Sequence, residues 1–296
     1  MFLSIILNLI TILGFGLNHF PAVTTVNGSV ISLKPSMSIT ELAAPRGALL
    51  VNQDHFFLFK QRADEIQPIA SISKLMTAMI FLENNPGWDK TYKITAADNV
   101  LGGKINLFLG DEVSVKDLFY TSLVASDNGA TMALVHSTGL SEEEFVKKMN
   151  NQAEKLGLTN TFFKEPTGLS DANVSTAREV AFLAQAAFKR LDIRQATTMP
   201  EYSFTTLGGR LKKVESTDYL LLNSGGGLIK VLAGKTGYTE KAGYSFVGLL
   251  QGDDGPEMIS VVLNSSSKNE RFLESEQLVN WAISSYDWNG VVKNIN

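Results

Sequence analysis

Ser71 and Lys74 are the residues whose types and spacing first suggest chemistry in this sequence. They open an apolar segment, Pro68 to Ile80, whose spacing predicts a helix. Residues three apart on a helix share one face, with about 5–6 Å between their Cβ atoms, so the Lys74 amine can reach the Ser71 hydroxyl. A lysine whose pKa is lowered by burial or by a neighbouring cation can take that hydroxyl proton and leave a nucleophile. The same spacing also fits an ordinary amphipathic helix with a solvated lysine.

Two further motifs follow in chain order. The first, Ser126-Asp127-Asn128, comes where an apolar helical face runs out, and the second, Lys235-Thr236-Gly237, lies in a segment rich in strand-forming residues. Taken singly, the first would be a turn and the second a strand end. Their occurrence together with the serine-lysine pair predicts a single site.

Each motif could contribute to acyl transfer. Ser126 could relay a proton between the lysines and a leaving nitrogen, and Asn128 could hold a substrate amide. Lys235 and Thr236 could bind a carboxylate. The charge of Lys235 would also lower the pKa of Lys74, because a like charge disfavours the ionised form.

The three motifs in this order resemble the signature of penicillin-binding proteins and class A β-lactamases. The chain is most similar to the low-molecular-weight D-alanyl-D-alanine carboxypeptidases, which are penicillin-binding serine peptidases of bacterial cell walls. This resemblance covers roughly residues 42 to 286 and is carried by the stretches 68–78, 115–130, 165–169 and 234–244.

The resemblance implies that a peptidoglycan stem peptide ending in D-Ala-D-Ala acylates Ser71, with Lys74 as the base and Ser126 as the second catalytic serine. It implies an oxyanion hole made by the backbone N–H groups of Ser71 and Tyr238. It also implies inhibition by β-lactams and neither a cofactor nor a metal. The implied substrate-binding residues are Asn128, Lys235, Thr236, Gly237 and Tyr238, with Lys235 as the carboxylate anchor.

One position departs from the family pattern. Where the family usually has Asn-Pro before Thr-Gly-Leu or His-Gly-Leu, this chain has Glu165-Pro166. A Glu-Pro pair in this region also resembles the class A β-lactamases, in which a glutamate activates the deacylating water. We expect Glu165 instead to cap or pair within its own loop.

The functional prediction is a serine-type D-Ala-D-Ala carboxypeptidase, with three alternatives left open. One is a D,D-endopeptidase on peptidoglycan cross-links, because the C-terminal β-domain and membrane-binding helix common in the family are missing, as in its shorter members. The others are a class A-like β-lactamase and a non-catalytic cell-wall sensor. A P-loop is excluded because Ile229 occupies the position that requires glycine. A Ser-His-Asp hydrolase is disfavoured by the scattered histidines and the lack of Gly-x-Ser-x-Gly.

The elements that must position these residues follow from hydrophobic periodicity and turn signals. A hairpin is predicted over 46–60. Helices are predicted after the serine-lysine pair and from the capping boxes Ser141/Glu144 and Thr176/Glu179. Another helix is predicted from an apolar face that runs out at 125–128 and consists of Val115, Leu118, Phe119 and Leu123. Strands are predicted over 230–236, 244–250 and 258–263, with a last helix ending near Tyr286. This order predicts an α+β fold of the β-lactamase/transpeptidase type, an antiparallel sheet flanked by helices with an inserted, mostly helical subdomain.

Composition excludes several classes. The net charge of −4 and the pI near 5.5 argue against a nucleic-acid partner. The chain has no cysteine, which removes thiolate catalysis, disulfides and cysteine-ligated zinc.

The N-terminus predicts the compartment. Residues 2–17 are almost continuously apolar, shorter than the roughly 20 residues of a membrane-spanning helix and closer to a secretory signal. We expect residues 1–22 to be a signal peptide or an uncleaved anchor, 23–41 a tether with little structure, and 42–287 the peptidase domain. The protein would then act outside the cytoplasm, and would contact the membrane only through an uncleaved N-terminal segment.

Overall fold

A computed structural model describes residues 23–26, 29–32, 41–52, 56–100, 102–223, 229–252 and 255–288. Its strands are β1 (Val23–Val26), β2 (Ser29–Ser32), β3 (Arg46–Val51), β4 (Phe56–Gln61), β5 (Gln67–Pro68), β6 (Thr91–Lys93), β7 (Glu112–Ser114), β8 (Val174–Ser175), β9 (Glu201–Thr205), β10 (Leu211–Glu215), β11 (Ile229–Thr239), β12 (Gly243–Gly252) and β13 (Met258–Ser265). Its helices are α1 (Lys74–Glu83), α2 (Val115–Val124), α3 (Asn128–Ser137), α4 (Glu142–Lys155), α5 (Ala177–Phe188), α6 (Leu191–Thr197), α7 (Tyr219–Asn223) and α8 (Glu270–Ser285).

The main sheet joins two segments that lie far apart in the sequence. Its five strands are antiparallel in the order β11-β12-β13-β3-β4, so the early hairpin β3–β4 completes a sheet begun by the three late strands. Helices α1 to α7 are inserted between β4 and β11. This confirms the predicted antiparallel sheet with an inserted helical part, and it leaves β11 as an edge strand.

Both faces of the sheet are covered. On β12, Val247 and Leu249 pack into a core shared with α1 to α6, whereas Leu250 packs into a second core with α8. Neighbouring residues of a strand point to opposite faces, so continuous apolar runs such as 246–250 indicate a sheet buried on two sides. Helix α1 lies in the first core with every residue from Lys74 to Phe81 buried.

The segment that carries the serine-lysine pair is not one helix from Pro68. Pro68 pairs with Val174 in a short antiparallel ladder, a 3-10 turn follows over Ala70–Ser73, and the α-helix begins only at Lys74. Ala70 has φ +47°, which no α-helix tolerates, so the backbone turns just before Ser71. The prediction of a helix over 68–80 is therefore wrong at its N-terminal end.

One of the two predicted capping boxes forms completely. Ser141 and Glu144 exchange both capping hydrogen bonds at the start of α4. Thr176 accepts from the backbone N–H of Glu179, but the Glu179 carboxylate accepts instead from the Asn160 backbone at 3.0 Å and the Thr161 hydroxyl at 2.6 Å. A long-range partner has replaced the local one.

The tether prediction is wrong for two segments. Strands β1 and β2 pair antiparallel, with Val26 opposite Ser29. The sequence carried a signal for this pairing, because an Asn-Gly pair between two strand-forming segments favours a hairpin. The predicted signal or anchor, residues 1–22, lies outside the described residues. None of the helices in the described part of the chain is long and apolar enough to cross a bilayer.

Candidate active site

Ser71 lies on the 3-10 turn directly ahead of α1. Its hydroxyl accepts a hydrogen bond from Lys74 Nζ at 2.9 Å, so the predicted pairing across one helical turn is present. The left-handed conformation of Ala70 aims the turn, and residues in such sparsely populated conformations cluster at active sites.

Lys74 is held by three acceptors from three parts of the chain. Besides Ser71 Oγ, its Nζ donates to Asn128 Oδ1 at 2.7 Å and to the Thr167 carbonyl at 2.6 Å. The side chain is 0% exposed, and this burial lowers the pKa of Lys74 to about 7, against the opposing charges of Glu165 and Asp127. A neutral Lys74 amine could donate to Asn128 and Thr167 and accept the Ser71 proton on its lone pair.

Lys235 reaches the same site from the edge strand β11. Its Nζ donates to Ser126 Oγ at 2.7 Å and to the Thr236 carbonyl at 3.0 Å. Burial lowers the pKa of Lys235 well below its usual range, and the charges of Lys74 and Arg271 lower it further. The sequence predicted that the charge of Lys235 would lower the pKa of Lys74. Burial is instead the main cause of the low pKa of Lys74, and repulsion between the two lysines lowers the pKa of Lys235.

Ser126 and Asn128 flank the start of α3. Ser126 is a non-glycine residue at φ +57°, in the left-handed region. Asp127 caps α3 through Ala130 N at 2.7 Å. Asn128 donates from Nδ2 to the Gly102 carbonyl at 2.9 Å, so its amide fixes Lys74 and the 102–104 loop together.

The rest of the Lys-Thr-Gly motif lies against the Ser71 turn. A Cβ on Gly237 would come within 2.8 Å of the Ile69 carbonyl, so only glycine allows this approach. The Thr236 hydroxyl lies 2.6 Å from the Thr217 hydroxyl. Tyr238 is 52% exposed and stacks on Tyr244 with 4.4 Å between ring centroids.

Glu165 is committed to its own loop. Its Oε2 accepts from the backbone N–H and the hydroxyl of Thr167, each at 2.6 Å, and its Oε1 accepts from Gly168 N at 2.7 Å and Ser170 N at 3.2 Å. The local pairing expected for Glu165 is therefore present. This loop delivers the Thr167 carbonyl to Lys74.

An open cleft of about 750 Å³ runs over these groups. Six of the eight predicted site residues line it, and the two lysines lie buried directly beneath. The six are Ser71, Ser126, Asn128, Thr236, Gly237 and Tyr238.

Sequence reasoning missed Thr217 and Arg271, which also line the cleft. Arg271 is 3% exposed and donates from Nη1 to the carbonyls of Gly237 at 3.2 Å and Ser245 at 3.3 Å. Burial lowers the pKa of Arg271 to about 10. Neither residue belongs to a short motif. The one signal of a special role for Arg271 was its place in the first turn of α8, where the helix dipole makes a cation unfavourable.

A serine hydroxyl bonded to a buried lysine of lowered pKa, beside a second serine-lysine pair, defines a serine acyl-transfer enzyme. The family model described as D-alanyl-D-alanine carboxypeptidase (Peptidase S11) matches residues 37–267, and the chain belongs to this family. It is thus a hydrolase of the serine-type D-Ala-D-Ala carboxypeptidases, as the motifs predicted.

Similar proteins include two bacterial enzymes and one crystal structure. The chain is 31% identical to a D-alanyl-D-alanine endopeptidase of Haemophilus influenzae over 74% of this chain and 73% of that protein. It is 32% identical to the D-alanyl-D-alanine carboxypeptidase DacF of Bacillus subtilis over 84% of this chain and 64% of that protein. Penicillin-binding protein D2 of Listeria monocytogenes, solved with bound cefotaxime, matches with a TM-score of 0.71 and 32% identity over 83% of this chain and 99% of that one. This likeness confirms the fold class.

Gly168 offers a test of how the 165–169 loop supports Ser71. It has φ +86°, and a Cβ there would lie 2.0 Å from the Ala70 carbonyl oxygen and 2.8 Å from Ser71 N. We expect Gly168→Ala to displace the Ser71 turn and to slow labelling by a fluorescent penicillin at least about tenfold. Gly139→Ala is the matched control, because Gly139 has φ +78° and nothing within 4 Å of the added methyl.

The control should lose about 1–2 kcal/mol of unfolding free energy from backbone strain alone, with normal labelling. Equal labelling by the two variants would show that close packing of Gly168 does not position Ser71.

Proposed function

We propose that Ser71 is the nucleophile and Lys74 the general base of a D-Ala-D-Ala carboxypeptidase acting on peptidoglycan stem peptides. The observation that carries the proposal is the 2.9 Å hydrogen bond between Lys74 Nζ and Ser71 Oγ, at a lysine whose pKa burial lowers to about 7. A base with a pKa near the working pH combines the correct protonation state with useful proton affinity.

The reaction then proceeds in two halves. Neutral Lys74 takes the Ser71 proton as Oγ attacks the carbonyl carbon between the two D-alanines. The C–N bond breaks as Ser126, bonded to Lys235, gives its proton to the nitrogen of departing D-alanine, and the lysines of the site, which hold the proton taken from Ser71, restore the Ser126 hydroxyl. In the second half neutral Lys74 takes a proton from water as the water oxygen attacks the acyl carbon, the ester C–O bond breaks, and Lys74 returns that proton to Ser71 Oγ.

The terminal carboxylate of the substrate would bind beside β11. Lys235, Thr236, Thr217 and Arg271 surround this part of the cleft and offer two cations and two hydroxyls. The backbone N–H groups of Ser71 and Tyr238 would form the oxyanion hole, because Gly237 holds β11 against the Ser71 turn. Asn128 would contact the substrate amide from the opposite wall.

β-Lactams mimic this substrate and would acylate the same serine. The bound cefotaxime in the Listeria protein supports this. Because the family acts on peptidoglycan, the protein works outside the cytoplasmic membrane. Residues 42–287 would form the peptidase domain, and residues 1–22 would direct export or anchor the chain.

A second activity, cleavage of cross-linked stem peptides, is favoured by the residues that line the cleft. Besides Thr217 and Thr236, they include Tyr219 and Lys268. The Lys268 ammonium donates to the Tyr219 hydroxyl and lies 4.0 Å from its ring centroid. This exposed cation would attract a leaving group that carries a stem peptide with further carboxylates. The similarity to the Haemophilus endopeptidase points the same way.

The proposal predicts a specific pH dependence of acylation. Below pH 7 Lys74 is protonated and cannot take the Ser71 proton, so the rate should fall about tenfold per pH unit and level off above about 7. Ser71→Ala should abolish labelling by a fluorescent penicillin. Lys74→Ala should slow it by about 10²–10⁴ while the protein stays folded by circular dichroism. A normal rate in Lys74→Ala would remove Lys74 from the base role.

A further prediction separates the carboxypeptidase from a β-lactamase. Because both Glu165 oxygens are engaged by loop donors, Glu165→Gln should leave the lifetime of the penicilloyl adduct within a few-fold. The protein should lose about 1–3 kcal/mol of unfolding free energy, since an amide cannot accept from all of these donors. Adduct decay within seconds, slowed about a hundredfold by the substitution, would instead indicate a β-lactamase.

The endopeptidase activity is tested with a muropeptide mixture and product masses. Lys268→Ala should slow loss of cross-linked dimers up to about fivefold, as expected for an exposed ion pair worth about 0.2–1 kcal/mol. Release of alanine from monomers should be unchanged. Lys147→Ala, an equal charge change on the exposed side of α4, is the control. Wild-type protein that leaves dimers intact would restrict the function to carboxypeptidase.

A further inference from the structure

Asp218 is a buried carboxylate beside the site that no step above uses. It is 3% exposed and precedes the five-residue helix α7. Its Oδ1 accepts from Leu220 N at 3.0 Å, and its own N–H donates to Ser216 Oγ at 3.1 Å. The carboxylate also accepts from the backbone N–H of Leu221. Its Oδ2 is buried with no hydrogen-bond partner among the described residues.

A local capping role does not account for this carboxylate. Asparagine satisfies a neighbouring backbone N–H as well as aspartate does, without the cost of a buried charge. An unpaired carboxylate oxygen in the interior is unfavourable unless a nearby cation compensates it. The role of the negative charge is therefore inferred from the groups that surround Oδ2.

Oδ2 faces the Lys-Thr-Gly strand. A Cβ on Gly234 would come within 2.3 Å of Oδ2, so the carboxylate lies directly against the residue before Lys235. Residues two apart on a strand share a face. Gly234 and Thr236 therefore both face residues 217–218. Asp218 lies against Gly234, and the Thr217 hydroxyl lies against the Thr236 hydroxyl.

Two buried cations act on this carboxylate. Burial raises the pKa of Asp218 to about 7, and the charges of Arg271 and Lys235 oppose that rise. In return Asp218 raises the pKa of both cations, which burial lowers. The other charged groups that shift the pKa of Lys235 are Lys74 and Arg271. The other titratable groups that shift the pKa of Arg271 are Tyr219 and Tyr244.

The acidic groups of the site are divided between its cations. Glu165 and Asp127 act on Lys74, whereas Asp218 acts on Lys235 and Arg271. Arg271 also has a buried Nε with no hydrogen-bond partner in the described part of the chain. Without Asp218, two adjacent buried cations would repel each other with no counter-charge of their own.

We infer that Asp218 is a positioning residue for the carboxylate anchor: its buried negative charge keeps Lys235 and Arg271 charged and in place beside the Lys-Thr-Gly strand. The inference rests on the proposed role of Lys235 in binding the substrate's terminal carboxylate. Asp218 acts through the two cations and does not itself touch substrate.

The test is Asp218→Asn, which keeps the shape and the bond to Leu220 but removes the charge. Because an opposite charge shifts a neighbouring pKa by about 1–3 units, the alkaline limb of kcat/KM should move to lower pH by about one unit or more. KM should rise more than kcat falls. Because the pKa of Asp218, like that of Lys74, is about 7, the acid limb of the wild type should reflect both groups, whereas that of the variant should reflect Lys74 alone.

A substrate with an amidated C-terminus separates charge from structure. It has no carboxylate for the cations to bind, so Asp218→Asn should lose less activity on this substrate than on the free acid. The loss that remains on the amide reflects Lys235 acting through Ser126. Asp111→Asn is the control, because Asp111 is a buried carboxylate paired with Lys212 at 2.9 Å outside the cleft. It should leave both limbs unchanged. If the asparagine variant does not fold, Asp218→Ser serves the same comparison, since serine also caps.

An unmoved alkaline limb, or an equal loss on the acid and amide substrates, would show that Asp218 is merely structural and would overturn the inference. The variant Lys235→Ala distinguishes a wrong assignment of Asp218 from a wrong assignment of the carboxylate anchor. If Lys235→Ala abolishes the preference for a free carboxylate while Asp218→Asn does not alter it, only Asp218 is wrongly assigned. If Lys235→Ala retains that preference, the carboxylate anchor itself is wrongly assigned.

Discussion

Lys74 and Lys235 are both withdrawn from water, at 0% and 1% exposure, beneath one cleft. Burying an ammonium group disfavours its charged form, so each lysine either loses its proton readily or depends on nearby carboxylates. The two resolve this constraint differently. Lys74, with a pKa of about 7, is poised to exchange a proton with Ser71, whereas Lys235 shares its surroundings with Arg271 and Asp218. The segments around the cleft supply the hydrogen-bond partners of both amines.

The acceptors of Lys74 come from segments distant in the sequence. The Ser71 turn, the start of α3 and the 165–169 loop each provide one oxygen, so the base is assembled only when all three have packed. Left-handed backbone occurs in each of them, at Ala70, Ser126 and Gly168. Such conformations persist when surrounding packing determines them, and here the surrounding packing is the helical part inserted into the sheet. The fold and the chemistry therefore depend on the same contacts.

Much of this was predictable from local signals. The three motifs, together with the family resemblance that added Tyr238, predicted six cleft residues and the two lysines, and periodicity predicted the sheet and most helices. The complete burial of both lysines was not predicted. The errors at Ala70 and Glu179 share a cause, because long-range partners replaced local ones, whereas the missed β1–β2 hairpin is a local pairing. Ala70 breaks the helix to pack against Gly168 and Gly237, and Glu179 leaves its capping box for Thr161. Arg271 reaches the site only through the packing of α8 on the sheet, which no short motif encodes.

The charge of the cleft is opposite to that of the whole chain. The protein carries −4, yet Lys104, Lys268 and Arg271 line the cleft, where Glu215 also lies, and two lysines sit beneath it. A concave site bounded by low-dielectric walls focuses its own field, whereas charges spread over the surface are screened beyond about 8–10 Å at physiological salt. An anionic peptide close to the cleft therefore experiences the local cations more strongly than the net charge. The acidic composition that argued against nucleic acid is compatible with a site for carboxylates, because recognition depends on where the cations lie.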